Sequence, residues 1–509
     1  MTYRLAPFAS TGLTQSLLEL LLDEHERATL PKLKRFWDYY RNPARAARTP
    51  GERPRLAQEV GLPQRVLGRD EARPRREVVV ENDIAWRVQS MVDFMFGKPV
   101  RIVSTARDAA TRAAVERTLD AVWEASGGIA LLQDMALLGH IHGHVDLVVR
   151  AAANQGVAAG PGGRGVSNGS GRETQALPPA SSPAFAAGSS ADPAEIAPAF
   201  VRVEIVEAAR GVPVLDPADY RRLRAYVIHT RRDLLDVESP SAWRPFGPLS
   251  RRRRAPWTEV ISATHRQVYD DGKLILDEPL GAWTNGQPPV AHIQNISQPF
   301  HYDGLGEVEP LIPHQDELNT RLSDRACRVT LQSFKMYLVK GLDGLDRRPV
   351  TPGTIWSTDN PDASVTAFGG DADSPSERDH ILEIREAMDK TSGVPPLASG
   401  VVRAKIGNLS SANALRITLM GVLAKTARKR VTYGQGIARA SGLILAALDE
   451  LGVLPTDPRD RGIRLVWPDP LPEDLGEQAA LARAKADLGV PVERVLAGLG
   501  EDTADQGIA

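Results

Sequence analysis

The stretch Ile406-Gly407-Asn408-Leu409-Ser410-Ser411-Ala412-Asn413-Ala414-Leu415 opens a run that reaches Ala447 without a proline. Gly407 and Asn408 make a turn. Ser410 or Ser411 supplies a hydroxyl that accepts from the free amides of a first helical turn. Beyond it apolar residues recur at helical spacing, interrupted only by the single glycines Gly421, Gly434, Gly436 and Gly442. The pattern predicts one helix of about 40 residues, where an average helix has roughly 11–12. Such a length suits a subunit that spans a large ring better than a compact enzyme core. The close pair Gly434 and Gly436 marks an expected bend, because each glycine costs about 1 kcal/mol of helix stability.

Upstream of this run, Gly393, Pro395, Pro396 and Gly400 break helix and begin a mostly apolar loop over 394–410. Before the loop, Ser376–Lys390 reads as a helix. Met336–Phe368 reads as β-rich, punctuated by Asp343-Gly344 and Thr351-Pro352-Gly353. Leu311–Phe334 reads as a helix with Leu318, Leu322 and Ala326 at four-residue spacing. Downstream of Pro455 come a short strand, Ile463–Trp467, and two helical segments, Leu475–Leu488 and Val492–Leu499.

The N-terminal half mixes both periods. Residues 14–41 read as a leucine-rich helix, and Arg41–Arg76 as an extended arm. Asp83–Phe96, Ala109–Ala125 and Ile129–Leu138 read as helices. Val100–Val103 and Val145–Arg150 read as strands. Residues 151–199 are dominated by Gly, Ala, Ser and Pro with few charges, so a disordered surface insertion is expected there. Strand signals resume at Phe200–Val206, Arg224–His229, Glu259–Ala263, Gln267–Tyr269 and Val290–Ile296, with a hairpin turn at Asp270-Asp271-Gly272-Lys273. The fold class is therefore α+β. No internal repeat is visible.

Composition narrows the function classes. A chain of 509 residues implies about three packed regions. Its formal net charge of −2 excludes a global basic field for holding nucleic acid, so any DNA contact is local. The single cysteine, Cys327, excludes an intrachain disulfide framework and a multi-cysteine zinc site. Met1-Thr2-Tyr3-Arg4 is not followed by a signal-peptide core, and no run approaches the roughly 20 apolar residues of a membrane helix. An intracellular folding compartment and no membrane contact are expected.

Motifs with chemical overtones resolve mostly to bland readings. Gly165-Val166-Ser167-Asn168-Gly169 matches a nucleophile elbow but lies inside the Gly/Ser-rich insertion, without the strand and helix that chemistry needs. Gly97-Lys98 lacks the first glycine and the hydroxyl residue of a phosphate-cradling loop. His140, His142 and His144 would share one face of a strand and could seat a metal. The flanking Gly139 and Gly143 favour a helix-to-strand turn with a polar rim of histidines. Arg251–Arg254 beside Trp257 reads as a solvated loop that could also touch nucleic acid or an acidic partner. Asp371 and Asp373 miss the offsets of a calcium loop. Arg321, Arg325 and Arg328 share roughly one face of the Leu311 helix. Arg416, Lys425, Arg428, Lys429 and Arg430 give the long helix a basic stretch. Both sets read as ordinary helix surface. No nucleophile–base pair, cofactor motif or metal set stands out, which weighs toward a structural role.

Four stretches in order along the chain resemble the portal proteins of tailed bacteriophages. They are Glu81-Asn82-Asp83 through Phe94-Met95-Phe96-Gly97-Lys98-Pro99-Val100, and Gly304-Leu305-Gly306-Glu307 through Leu318-Asn319 and Ser323-Asp324. Two more are Gly407-Asn408-Leu409-Ser410-Ser411-Ala412-Asn413-Ala414-Leu415, and Val466-Trp467-Pro468-Asp469-Pro470-Leu471-Pro472. The resemblance covers most of residues 78–500. It implies a non-enzymatic subunit of a homo-oligomeric ring, usually of twelve copies, at a capsid vertex of the virion, assembled in the host cytoplasm. It implies these parts: an N-terminal helix and arm, 1–77; a mixed α/β wing, 78–308; two stem helices, 309–334 and 375–393; and a small β-rich clip, 335–374. A tunnel loop, 394–410, a long kinked wing helix, 411–452, and a helical crown, 453–509, complete the set. Val401, Val402, Arg403, Lys405 and Ile406 of the loop would face double-stranded DNA non-specifically during packaging, head–tail joining and ejection. The implied partners are the terminase large subunit, the major capsid and scaffolding proteins and a head–tail adaptor, with no cofactor. Two departures stand out: the 151–199 insertion, and Ser411 where the family has glycine. The competing class is a nucleic-acid-processing or metal-dependent α+β enzyme of phage or prophage origin, which a stable monomer holding metal or nucleotide would favour.

Overall fold

The computed structural model describes residues 2–46, 54–67, 77–152, 192–234, 253–333, 336–340, 360–368, 375–399, 412–471 and 475–491. In chain order its helices are α1 (Gln15–Glu24), α2 (Leu30–Arg41), α3 (Gln64–Leu67), α4 (Asp83–Phe96), α5 (Ala109–Ala125), α6 (Gly128–His142), α7 (Pro193–Phe200), α8 (Ile312–Ser333), α9 (Pro375–Ser392), α10 (Ala412–Thr418), α11 (Met420–Glu450) and α12 (Leu475–Asp487). Its strands are β1 (Ala44–Arg45), β2 (Arg55–Leu56), β3 (Arg101–Ser104), β4 (His144–Ala151), β5 (Val201–Glu207), β6 (Gly211–Asp216), β7 (Asp219–Leu234), β8 (Arg253–Ser262), β9 (His265–Asp270), β10 (Lys273–Pro279), β11 (Val290–Gln294), β12 (Met336–Lys340), β13 (Ser364–Phe368) and β14 (Ile463–Val466). The fold class is α+β, with every strand pair antiparallel. No helix among the described residues is long and apolar enough to cross a membrane.

The chain divides into two compact units. The first comprises Met1–Lys34, Val88–Gly306 and Val394–Ala509. It is built in layers around β4. Residues Val145, Leu147 and Val149 face one core, shared with Val115, Leu119 and Val122 of α5, Met135 of α6, Ile293 of β11 and Tyr433, Ile437 and Ile444 of α11. Val148 faces the opposite way, toward Val206, Tyr226, Ile228 and Ile261. A strand buried on both faces needs a nearly continuous apolar run, which Val-Asp-Leu-Val-Val supplies apart from Asp146. The three-stranded sheet β11-β4-β5 thus lies against the five-stranded sheet β10-β9-β8-β7-β6. The far side of that larger sheet is covered by the N-terminal segment, where Tyr3, Phe8, Leu18 and Leu22 pack on Val212, Val227, Val260 and Tyr269. Burying each such side chain fully stabilises by about 1.5–3 kcal/mol.

Local chemistry sets the element ends. Thr14 accepts from the Leu17 amide to start α1, and Asp108 accepts from the Thr111 amide, 2.9 Å, to start α5. The β9–β10 turn places Asp271 and Gly272 at φ +49° and +79°, the geometry of a two-residue hairpin that follows the strand twist. The predicted long helix is α10 and α11 together. The junction at Leu419 has φ −93° and ψ 6°, yet Leu419 N–H still bonds Leu415 O and Leu423 N–H bonds Leu419 O, each 3.0 Å. The expected bend at Gly434 and Gly436 is not where the irregular backbone lies. A Cβ on Gly436 would run into the Ile293 side chain. That glycine lets α11 sit close on β11, so packing rather than bending explains it.

Two other expectations change. Part of the region expected as disordered insertion is α7, started by Asp192 accepting from the Ala194 amide at 3.1 Å and packed on α5, with Ala197 buried. Its small residues resemble linker composition, yet small residues are what a close helix contact needs. The supposed arm contains the β1–β2 pair, a 3-10 turn at Ala57–Gly61 and α3. Strands β6 and β10 and the π turn His25–Thr29, which joins α1 to α2, were not expected. The remaining insertion residues, 153–191, lie outside the described residues, as do 492–499.

The second unit comprises Arg35–Arg87 and Glu307–Gly393. Its frame is the pair α8 and α9, and the chain between them includes the β12–β13 ladder. Ile381, Ile384 and Met388 form the buried stripe of α9. Arg328 of α8 pairs with Glu377 of α9.

Candidate functional site

The loop residues Val401, Val402, Arg403, Lys405 and Ile406 lie outside the described residues, as does the turn Ser410-Ser411. Their flanks are described. Gly393 at φ +67° ends α9, its amide bonding Asp389 O at 2.8 Å. A 3-10 turn, Pro396–Ser399, follows. On the far side the chain re-enters at α10.

The exit of the loop is clamped. The segment Val466–Leu471 runs along the start of the long helix, continuing from β14, which pairs with β3. Pro468 and Pro470 have no amide hydrogen, so the segment offers mainly carbonyl acceptors. Cations take them. Arg430 donates to Pro468 O at 2.9 Å and its guanidinium lies 5.2 Å from the Trp467 ring centroid. Lys98 Nζ donates to Asp469 O at 2.8 Å and Leu471 O at 3.2 Å. Arg416, on α10, donates to Asp469 Oδ2 at 2.7 Å. Burial would raise the Asp469 carboxyl, but the Leu471 amide and Arg416 outweigh it and hold it below the ordinary value. The Gly97-Lys98-Pro99 turn is therefore a fastening point. The basic stretch of the long helix is not plain surface either, since Lys425 and Lys429 are buried.

In the second unit the motif residues of α8 meet those before α4. Gln315 Oε1 accepts from Asp83 N–H at 3.0 Å, Asn319 Oδ1 from Glu81 N–H at 3.0 Å, Ser323 Oγ from Val79 N–H at 3.0 Å, and Cys327 Sγ from Glu77 N–H at 3.2 Å. Every fourth residue of the helix serves every second residue of the strap. The match is geometric: four helical residues rise about 6 Å and two extended residues about 6.6 Å. Arg87, buried in α4, pairs with Asp83 and Asp389, and Arg385 pairs with Glu81.

The histidines do not share a strand face. His140 and His142 end α6, Gly143 at φ +94° turns the chain, and His144 begins β4. His142 is pushed down to about 4 by burial and by His144, so it is neutral at pH 7. His144 lies instead beside His292 and Tyr302, with ring centroids 5.6 and 5.5 Å away. At the centre is Asp146, fully buried. It contacts His292 Nδ1 at 2.7 Å and accepts from Tyr302 Oη at 2.9 Å and Tyr226 Oη at 2.7 Å. Among the described residues no group of three or more His, Cys, Asp or Glu is placed to hold a metal ion. Of the other motifs, the serine at 167 and the aspartates at 371 and 373 lie outside the described residues. Arg253 and Arg254 open β8 rather than a loop, and Arg321 pairs with Glu317.

Sequence reading missed a second buried charge group. Glu259 of β8 accepts from Arg150 of β4, Nη2 at 3.0 Å, and from Arg266 of β9, Nε at 2.6 Å. Arg150 also reaches Glu204 of β5, at 3.0 Å. It bridges the two sheets of the first unit.

Residues 282–500 match the family described as phage portal protein, SPP1 Gp6-like. The resemblance read from the four sequence stretches is thereby borne out over that part of the chain. No curated protein matches the chain. Among solved structures, one from the neck of an empty gene transfer agent (GTA) particle, computed with C6 symmetry, is 13% identical, with a TM-score of 0.41 over 83% of this chain and 90% of its own. Another, from the virion of a native GTA particle, is 12% identical, with a TM-score of 0.39 over 82% and 90%.

Proposed function

We propose that the chain is the portal subunit of a phage-like particle. In this reading a closed ring of copies forms the DNA channel at a capsid vertex for packaging, head–tail joining and ejection. The observation that carries the reading is the family match, which spans the helix pair α8 and α9, the β12–β13 ladder between them, the loop and the long helix. The helix pair then serves as stem, 335–374 as clip, 394–410 as tunnel loop, 411–452 as long wing helix and 453–509 as crown. The near-zero net charge supports sliding, because each cation that neutralises a phosphate adds salt-sensitive grip. In the tunnel loop, Val401, Val402 and Ile406 offer surfaces that cannot hydrogen-bond phosphate, while Arg403 and Lys405 each neutralise about one phosphate. The clamp of Asp469 by Arg416 supports a fixed base for that loop. Terminase, capsid, scaffolding and adaptor contacts follow from the same reading.

The test has two parts. Light scattering and negative-stain imaging should show closed rings of about a dozen copies; a monomer at all concentrations and salts refutes the proposal. The double reversal Arg403→Glu with Lys405→Glu should leave rings intact and impair DNA packaging. Normal packaging removes the loop from the DNA contact, and failure to assemble makes the loop a structural connector.

A further inference from the structure

Between Ile417 and Val431 the helix buries Leu419 and Val422 together with polar residues and leaves other apolar residues outside. Lys425, Thr426 and Lys429 are inside, whereas Ile417, Met420 and Val431 are 72%, 66% and 58% exposed. Ala424 and Ala427 are exposed as well. These five apolar residues follow one another at spacings of three, four, three and four, which aligns them along one side of the helix. The strip is about 21 Å long at 1.5 Å per residue. A strip one side chain wide fits another helix. Arg428, exposed between Ala424 and Val431, has no ion-pair partner among the described residues.

A row whose charge complements Arg428 lies on α5. Glu116, Asp120 and Glu124 stand four residues apart, with Asp120 and Glu124 exposed. Like charges at this spacing oppose one another. The Asp120 carboxyl is accordingly raised, first by burial and then by Glu116 and Glu124, with Arg101 acting the other way. Arg117 on the same helix is paired with Asp192. Ala113 and Ala121 lie on this side and let a partner helix approach closely.

We propose that a second copy of this chain sets the Asp120–Glu124 strip of its α5 against the Ile417–Val431 strip of α10 and α11, with Arg428 meeting the acidic row. The two surfaces differ, so the contact is head-to-tail and repeats until it closes into a ring. This rests on the ring reading above and names the surface that closes it. The experiment measures assembly by sedimentation and negative stain, with circular dichroism to verify folding. Met420→Glu with Val431→Glu should shift the ring to monomer, weakening association at least tenfold. Arg428→Glu and Asp120→Lys should each weaken it, and the two together should restore most of the loss. Rings that persist undiminished in the first variant, or a charge swap no better than its worse single change, overturn this contact while leaving the ring reading standing. A parent chain that never assembles overturns both. Should the Glu variants misfold, the charge swap decides alone.

Discussion

Glu259 sits where a charge should be costly, between two sheets and wholly buried. Burial alone would push its carboxyl up. The guanidiniums of Arg150 and Arg266 outweigh that and hold it at about 2, against an ordinary 4.5. A depression of that size corresponds to about 3 kcal/mol at roughly 1.36 kcal/mol per pH unit. The sign follows from linkage. A carboxyl held low in the folded state contributes stability above the unfolded value, and loses it as pH falls from about 4.5 through about 2. Glu259→Gln keeps the shape and removes the charge, leaving Arg150 with Glu204 and Arg266 with Glu278. Breaking one partner of a buried ion group costs about 3–5 kcal/mol, so in a unit of this size the melting temperature should fall by roughly 3–6 °C at pH 7. Scanning calorimetry from pH 2.5 to 8 should show that gap constant above pH 5 and shrinking below it. A variant within 2 °C of the parent at pH 7, or a gap that does not close in acid, refutes the reasoning.

The glycine pair in α11 separates packing from bending. Gly436→Ala should destabilise by about 1–3 kcal/mol in urea unfolding, since the new methyl meets Ile293. Gly434→Ala, whose methyl reaches Leu465 only at 3.5 Å, should be neutral or stabilising by up to about 1 kcal/mol; equal damage from both would reinstate the bend. Replacing residues 153–191 by a short Gly/Ser linker should leave the melting temperature nearly unchanged, because that composition cannot support a core. A drop of many degrees would show that the segment packs.

Helices with a cap and a clean period were legible to the residue: α4 and α5 begin and end where the pattern places them. Strands were legible where β-branched residues cluster, as in β5. They were missed where the pattern is broken, as by Pro213 in β6. Helix α7 was missed because its alanines and prolines resemble the neighbouring linker composition. The four stretches that resemble portal proteins were visible as words, but what their side chains hold was not. Asn319 and Ser323 accept from amides more than 230 residues earlier, and no local pattern encodes such a partner. The same holds for Glu259 and Asp146, whose partners come from other strands. The helix-to-strand turn at the histidines was legible from Gly143, but their burial was not: all three lie inside rather than on a polar rim.

The four rungs of α8 onto the strap before α4 engage main-chain groups: the amides of residues 77, 79, 81 and 83, and the carbonyls of 77, 79 and 81. Every amino acid except proline carries both groups. Through these four rungs the strap is therefore open to substitution while the helix is not. Val79 can drift in side chain without losing its rung, provided it does not become proline, whereas Glu77, Glu81 and Asp83 also hold Thr330, Arg385 and Arg87 through their carboxylates. Gln315, Asn319, Ser323 and Cys327 must each keep an acceptor at a fixed height. A lineage that loses an acceptor in α8 cannot recover that rung by any change of side chain in the strap. The solitary cysteine is subject to the same rule, with serine or another short acceptor as its natural replacement.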